Sequence, residues 1–393
     1  MAAPIVTVTM TADAASFVRG GGRDVDTAKL ALAPAPAAGQ SLRLVDERGD
    51  ELGLAVADPE NQRLRLLATP ADGLPIGGAL LGWRVDRALG LRRSLGLVGD
   101  DATYRLIHGA GDGLPGFSAD VLGAVGVVHV YATALVPLGR QLAEAVRGFA
   151  RLGGVVIKVR ARGGAATVPQ ETIGEVAERV VARETGVPFE IHPLGGLNVG
   201  LFTDMREHRR GLARFVAGRR VLNLFSYTGA LSVACARAGA AAVTSVDTSP
   251  GVQSWAQGNF RLSGLDPDDR RWQFPAGDAV RFLARAIRDR ERWDVVLIDP
   301  PTFSTARGAP WTLDRDYPAL IAQACAVLPA GGFLWLAANT HELGSLIRLA
   351  QRGFRQGERT GVVLEQGGLP PDYPTVPAQL RDRYLQVCLF HAT

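Results

Sequence analysis

The chain is short of lysine, of cysteine and of long apolar runs, and each shortage narrows what it can do. Of its 43 basic residues only Lys29 and Lys158 are lysine. Nearly all its positive charge is therefore arginine, which binds phosphate bidentately and stacks on bases. Richness in Ala and Gly explains that bias equally well, so the arginine excess assigns no partner by itself. The three cysteines, Cys235, Cys325 and Cys388, are odd in number and far apart. They fit neither a metal-ligand spacing nor a disulfide framework, and a reducing, cytoplasmic setting is expected. No apolar run approaches the roughly 20 residues of a membrane span, so no membrane partner is expected. The opening "MAAPIVTVTMTADAASF" has no basic stretch ahead of its apolar residues, unlike a secretory leader.

What is present is 393 residues, 47% of them hydrophobic, with a net charge of +4. That length suggests two or three domains at roughly 100 to 200 residues each. The charge permits a nucleic-acid partner without demanding one. Residues 39–67 alternate apolar and polar residues between the turns "DERGD" and "DPENQ", the pattern of a small antiparallel β module. The stretch before them, with "GGGRD" and "APAPAAG", reads as loop. Residues 81–97 have apolar residues at helical spacing with Arg84, Arg87, Arg92 and Arg93 between them, a connector helix or a basic edge. Residues 103–190 form a second, α+β unit. Its "GAGDGLPG" lacks the basic residue and helix start of a phosphate loop, and reads as a turn between strands.

From about residue 192 strand and helix patterns alternate with short links. That predicts a parallel, doubly wound α/β sheet, whose ligands sit at the carboxyl ends of the strands. The first strand end reads Asn223, Leu224, Phe225, Ser226, Tyr227, Thr228, Gly229, with a helix starting at once. One glycine there disfavours a dinucleotide, while the helix start suits a carboxylate. The next ends carry Asp247-Thr248, placed for the two hydroxyls of a ribose, then Asp278-Ala279, placed for an exocyclic amine, then Asp299-Pro300-Pro301. Any one of these acids is explained by helix capping. Four successive polar ends describe a nucleoside with an amino-acid tail, S-adenosyl-L-methionine.

These motifs resemble the bacterial large-subunit ribosomal RNA methyltransferase family. The resemblance runs through "GLFTDMREHRR" (200–210), "VLNLFSYTGALSVACARAGA" (221–240), "VTSVDTSP" (243–250), "WAQGNFRLSGL" (255–265), "GDAVRFL" (277–283) and "DVVLIDPPTFS" (294–304). It implies a Rossmann-like class I methyltransferase domain over 192–393, a central α+β domain over 96–191 and a PUA-like β domain over 1–95 that binds RNA. It further implies that Phe225 to Gly229 line the cofactor's methionine part, that Asp247 holds the ribose and Asp278 the adenine, and that Arg206 closes over the cofactor. Met205 stands where the family often carries Gln.

The acceptor atom follows from which nucleophile is available. Cytosine C5 needs a cysteine to add at C6, and no cysteine falls at a strand end; the resemblance implies that in the family's cytosine branch this cysteine lies just after the strand that follows the GG turn, where Asn339 stands here. Guanine N7 has a lone pair and no proton to lose, so an acid that stabilises the cationic product suffices. Asp299 is expected in that role, with Phe303 stacking on an extruded base and Asn339 bonding its edge. Exocyclic amines stay open, although Thr302 interrupts the usual acid-Pro-Pro-aromatic order. Residues 304–316 read as a loop closing over substrate. A small-molecule or protein methyltransferase and a non-catalytic RNA-binding factor are the rival readings, and a homodimer through a sheet edge or the N-terminal module is left open.

Overall fold

The computed structural model describes residues 5–30, 32, 34–100, 102–160, 170–301, 303–304, 311–339, 341 and 346–393. The chain divides into two compact units, and the divide is not a single cut. The first holds residues 1–186, 191–199 and 371–382; the second holds 187–190, 200–370 and 383–393.

The first unit opens with a five-stranded sheet of β1 (Val6–Thr9), β2 (Asp24–Asp26), β3 (Ser41–Val45), β4 (Glu51–Asp58) and β5 (Arg63–Ala68), in the order β1-β3-β4-β5-β2. The opening stretch expected as loop is thus largely structured. Thr11 caps helix α1 (Ala12–Arg19) by accepting from the Ala14 amide, and Met10, Ala15 and Val18 fill the core beneath. Strand β1 also pairs parallel with β3, so the module is mixed rather than antiparallel. Elements this short carry no readable period; the sheet supplies the partner that makes them strands.

Helix α2 (Gly78–Ser94) follows. A second sheet, ordered β10-β9-β8-β7-β6, contains β6 (Thr103–His108), β7 (Phe117–Leu122), β8 (Val125–Val130), β9 (Gly154–Val159) and β10 (Glu171–Gly174). Helix α3 (Val136–Phe149) lies between β8 and β9 in sequence. Leu80, Leu81, Val85 and Leu89 of α2 share one core with Leu106, Phe117, Val128 and Ile157 of that sheet. The buried Arg92 clamps the unit: it meets Asp112 at 2.5 and 2.9 Å and donates to the carbonyl of Asp372, in the 371–382 segment, at 2.7 Å. Strands β11 (Val180–Glu184) and β12 (Val187–Ile191) come next.

The second unit is built on a seven-stranded sheet. Its strands are β13 (Arg220–Leu224), β14 (Ala242–Val246), β15 (Trp272–Gln273), β16 (Val295–Ile298), β19 (Gly332–Asn339), β20 (Gly361–Gly367) and β21 (Leu385–Ala392), in the order β15-β14-β13-β16-β19-β21-β20. The short pair β17 (Phe303–Ser304) and β18 (Trp311–Thr312) stands apart. Pairing is parallel from β15 to β19, and β21 enters antiparallel. Helices α4 (Arg206–Val216), α5 (Ala230–Arg237), α6 (Pro250–Leu262), α7 (Ala279–Arg288), α8 (Leu313–Val327) and α9 (Leu346–Gln356) connect the strands. Central strands such as "VVLI" of β16 are apolar throughout and wholly buried, as strands covered on both faces must be. The order reverses at β13, so the cleft opens at the carboxyl ends of β13 and β16. Among the described residues no helix is long and apolar enough to cross a membrane.

Candidate functional site

The link after β13 is held in an unusual backbone. Phe225 and Tyr227 take φ of +59° and +47°, and Gly229 takes +76°. Left-handed backbone at bulky residues costs on the order of 1 kcal/mol or more each and persists only where surroundings enforce it. Here they do. The Ser226 amide donates to Val246 and the Tyr227 amide to Asp247 Oδ2 at 3.0 Å, while Thr228 Oγ1 donates to Gly200. A Cβ on Gly229 would come within 2.9 Å of Ala256 on α6.

Asp247, at the end of β14, also accepts from the Ser249 amide at 3.2 Å, and its carbonyl accepts from Gly277 at 2.8 Å. Two amides leave its carboxylate with further acceptor capacity, enough for a diol. Asp278 caps α7 by accepting from the Arg281 amide, so the capping role is real, and its side chain is partly exposed. Thr248 is exposed and Ala279 is buried in the first turn of α7. Ser226 Oγ is buried and unpartnered. An orphaned hydroxyl, a rigid loop and a carboxylate with spare acceptors fit a nucleoside with a polar tail.

Asn223, expected in that row, keeps its side-chain oxygen buried and without a hydrogen-bond partner. It is fully buried, and its amide donates to Ser232 Oγ on α5, which Ser245 Oγ also reaches at 2.7 Å. Its place one residue before the strand end turns it under the helix, where it braces the loop from below.

At the end of β16, burial pushes the Asp299 carboxyl up to about 7; the neighbouring Asp204 carboxylate adds to the rise and Arg209 opposes it. Pro300 is buried and Pro301 exposed. Beneath this corner the Tyr317 hydroxyl donates to the carbonyls of Ile298 and Ala337 at 3.1 and 2.9 Å, fixing the ends of β16 and β19. Asn339 ends β19, exposed and in register with Leu385. The backbone of Phe303 lies in β17; its side chain, Thr302 and residues 305–310 of the expected closing loop lie outside the described residues.

Arg206 is the first residue of α4 and almost wholly buried, with Nε donating to Glu207 at 3.1 Å. Sequence reasoning missed its neighbours. Asp204 accepts from the Tyr384 hydroxyl at 3.0 Å, Arg209 donates to the Phe202 carbonyl, and His341 lies 5.8 Å from the Tyr384 ring. The charge density of "TDMREHRR" was the available signal; Tyr384 arrives from just ahead of β21 and left none. Phe202, Tyr227 and Trp255 also line up, with ring centroids 5.3 and 6.2 Å apart. All three cysteines are buried, and burial pushes their thiols up, to about 12 for Cys235 and about 11 for Cys325 and Cys388.

A model of the S-adenosylmethionine-dependent methyltransferases matches residues 105–385. A ribosomal RNA large subunit methyltransferase of Deinococcus radiodurans is 32% identical over 311 residues, 75% of each chain. Ribosomal RNA large subunit methyltransferase I of Shewanella denitrificans is 30% identical over 308 residues, 76% of each chain. The K/L enzyme of Shewanella amazonensis is 35% identical over 227 residues, 57% of this chain and 30% of that longer one. Among solved structures, SMU.776, described as a methyltransferase and crystallised with S-adenosylhomocysteine, superposes with a TM-score of 0.87 over 98% of this chain and 100% of its own. At 22% identity that likeness concerns the fold.

Proposed function

This chain belongs to the S-adenosylmethionine-dependent methyltransferases, among the bacterial large-subunit ribosomal RNA methyltransferases, and from that premise we propose that it methylates a base of large-subunit ribosomal RNA, at guanine N7. The cofactor supplies an electrophilic methyl group on a sulfonium. The chain supplies position: Asp247 for the ribose, Asp278 for the adenine, Phe225 to Gly229 for the amino-acid tail and Arg206 closing over the cofactor.

The observation that carries the acceptor assignment is the pairing of a carboxyl at the β16 corner with three buried, protonated thiols. A cytosine-C5 mechanism requires a thiolate within reach of C6. Each thiol here is a core side chain held in its neutral form, so none serves. Guanine N7 attacks with its own lone pair and leaves a cationic base. An ionised Asp299 stabilises that cation, and an arriving positive charge itself favours the ionised form. Asn339 would bond the base edge and Phe303 would give it a face.

The test is transfer of labelled methyl from S-adenosylmethionine to deproteinised, unmodified ribosomal RNA, followed by nucleoside mass spectrometry. Labelled 7-methylguanosine is expected. Labelled 5-methylcytidine would overturn the acceptor assignment, as would label on an exocyclic amine. No labelled nucleoside, with cofactor bound, would move the acceptor away from naked RNA.

A further inference from the structure

One cluster of arginines in the first unit is only partly matched by the bonds it makes: Arg84 pairs with Asp72, and Arg23 Nη1 donates to the Leu66 carbonyl at 3.3 Å. Arg92 of α2 is neutralised by Asp112, and Arg65 by Asp24 and Asp58. Arg63 is matched by Asp26. Arg23, Arg84 and Arg87 are different. Arg23 and Arg84 each lie close enough to feel Arg87, and among the described residues Asp72 is the carboxylate that acts on both, bonded to Arg84 Nη2 at 2.6 Å. Three guanidiniums against one carboxylate leave a local excess of two positive charges.

The excess leaves its mark on the groups themselves. Arg84 is nearly all buried, yet its Nε has no hydrogen-bond partner. Burial, then the charge of Arg23, pull its guanidinium down to about 10 despite Asp72. Burial and Arg87 likewise lower Arg23. A folded protein gains nothing from gathering like charges over an unmatched donor. An anion would relieve both defects.

The cluster is also pre-ordered. The Arg84 and Arg87 guanidiniums each lie 4.8 Å from the centroid of the half-buried Trp83 ring. Stacking on an indole fixes the planes of two long side chains, so less freedom is lost when a ligand binds. Arg87 is exposed and Arg23 partly so, which leaves the group open to solvent.

We propose that Arg23, Arg84 and Arg87, stacked around Trp83, form a binding site for the phosphodiester backbone of the RNA substrate. This rests on the RNA reading above, and it adds a phosphate contact remote in sequence from every residue of the cofactor row. Planar, bidentate guanidinium donors match phosphate oxygens. Such a contact positions the RNA without reading its sequence.

The experiment compares the full-length protein with its R87Q and R23Q variants, both at solvent-accessible positions where folding is expected to survive. Binding of deproteinised ribosomal RNA is measured across a salt series, alongside methyl transfer and cofactor affinity. Each variant is expected to bind RNA several-fold more weakly, with a slope of log affinity against log salt shallower by about 1. KM for RNA should rise, while kcat at saturation and cofactor affinity stay unchanged. R87K should restore part of the affinity. If the wild type binds RNA and both variants match its affinity and salt slope, the site is overturned and the RNA reading stands. If the wild type binds no ribosomal RNA, both fall together.

Discussion

Asp299 is where stability and function oppose each other. Its carboxyl is raised from an ordinary 3.8 to about 7, so folding favours the protonated acid. That stability is present in full below the unfolded value near 4 and is lost as pH rises through about 7. D299N removes the titration. Its melting temperature should exceed that of the wild type at pH 8, by less at pH 5, and converge with it only below about pH 4, read by calorimetry across pH. Methyl transfer should run the other way. The wild-type rate should rise with pH through about 7 as the carboxylate forms, and D299N should lose turnover on the order of 10²-fold without that rise. A pH-independent rate in the wild type would remove Asp299 from the chemistry. The cysteines give the complementary test at the same scale. C235A, C325A and C388A should each retain methyl transfer per folded molecule, because thiols pushed up to about 11 or 12 carry almost no thiolate at neutral pH. Loss of turnover in one folded variant would restore the cytosine reading.

Among the elements, the link from β13 to α5 depends most on a single residue. Gly229 combines a left-handed φ of +76° with a neighbour 2.9 Å from where a Cβ would stand. G229A should lower stability by about 1–3 kcal/mol in urea denaturation. It should also weaken cofactor binding, measured by titration calorimetry, since the loop cannot keep its turn while α5 moves off α6. Unchanged affinity would show that the loop is not the cofactor's support. The row of strand ends was legible here because parallel strands carry their message locally: an apolar run, then an acid, then a helix. What the Asn223 amide touches was not legible, for a related reason. Its position in the run was visible, but the alternation that turns it under α5 depends on the strand's pairing. The N-terminal segment was illegible because β1 and β2 are only four and three residues long, and pairing alone defines strands of that length.

For the molecule as a whole, sequence order and spatial grouping diverge. Residues 371–382 follow the edge strand β20 yet belong to the first unit, where Gln379 Oε1 accepts from the Arg23 and Asp24 amides at 3.2 Å and Asp372 accepts from Arg105. Helix α2, ahead of residue 96, shares its core with the sheet that follows. A fragment beginning at residue 96 should therefore expose Leu106, Val128 and their neighbours, bind a hydrophobic dye and aggregate; a soluble, cooperatively melting fragment would show the front module to be separable. RNA binding by the front of the chain is better probed with surface variants such as R87Q than by truncation.

The sequence by itself determined the doubly wound sheet, the row of acids at its strand ends and the cofactor class they describe. Each of those rests on neighbours along the chain, and local pattern is what one sequence records. Only the tertiary structure decided that the cysteines are buried, with their thiols pushed up, and that burial pushes the Asp299 carboxyl up to about 7. It also set the Asn223 amide against Ser232, brought Asp204 and Tyr384 together, and placed the Arg84 and Arg87 guanidiniums over Trp83. These depend on burial and on groups as far apart in the chain as Asp204 and Tyr384, and desolvation and charge act through space, which the order of residues does not contain.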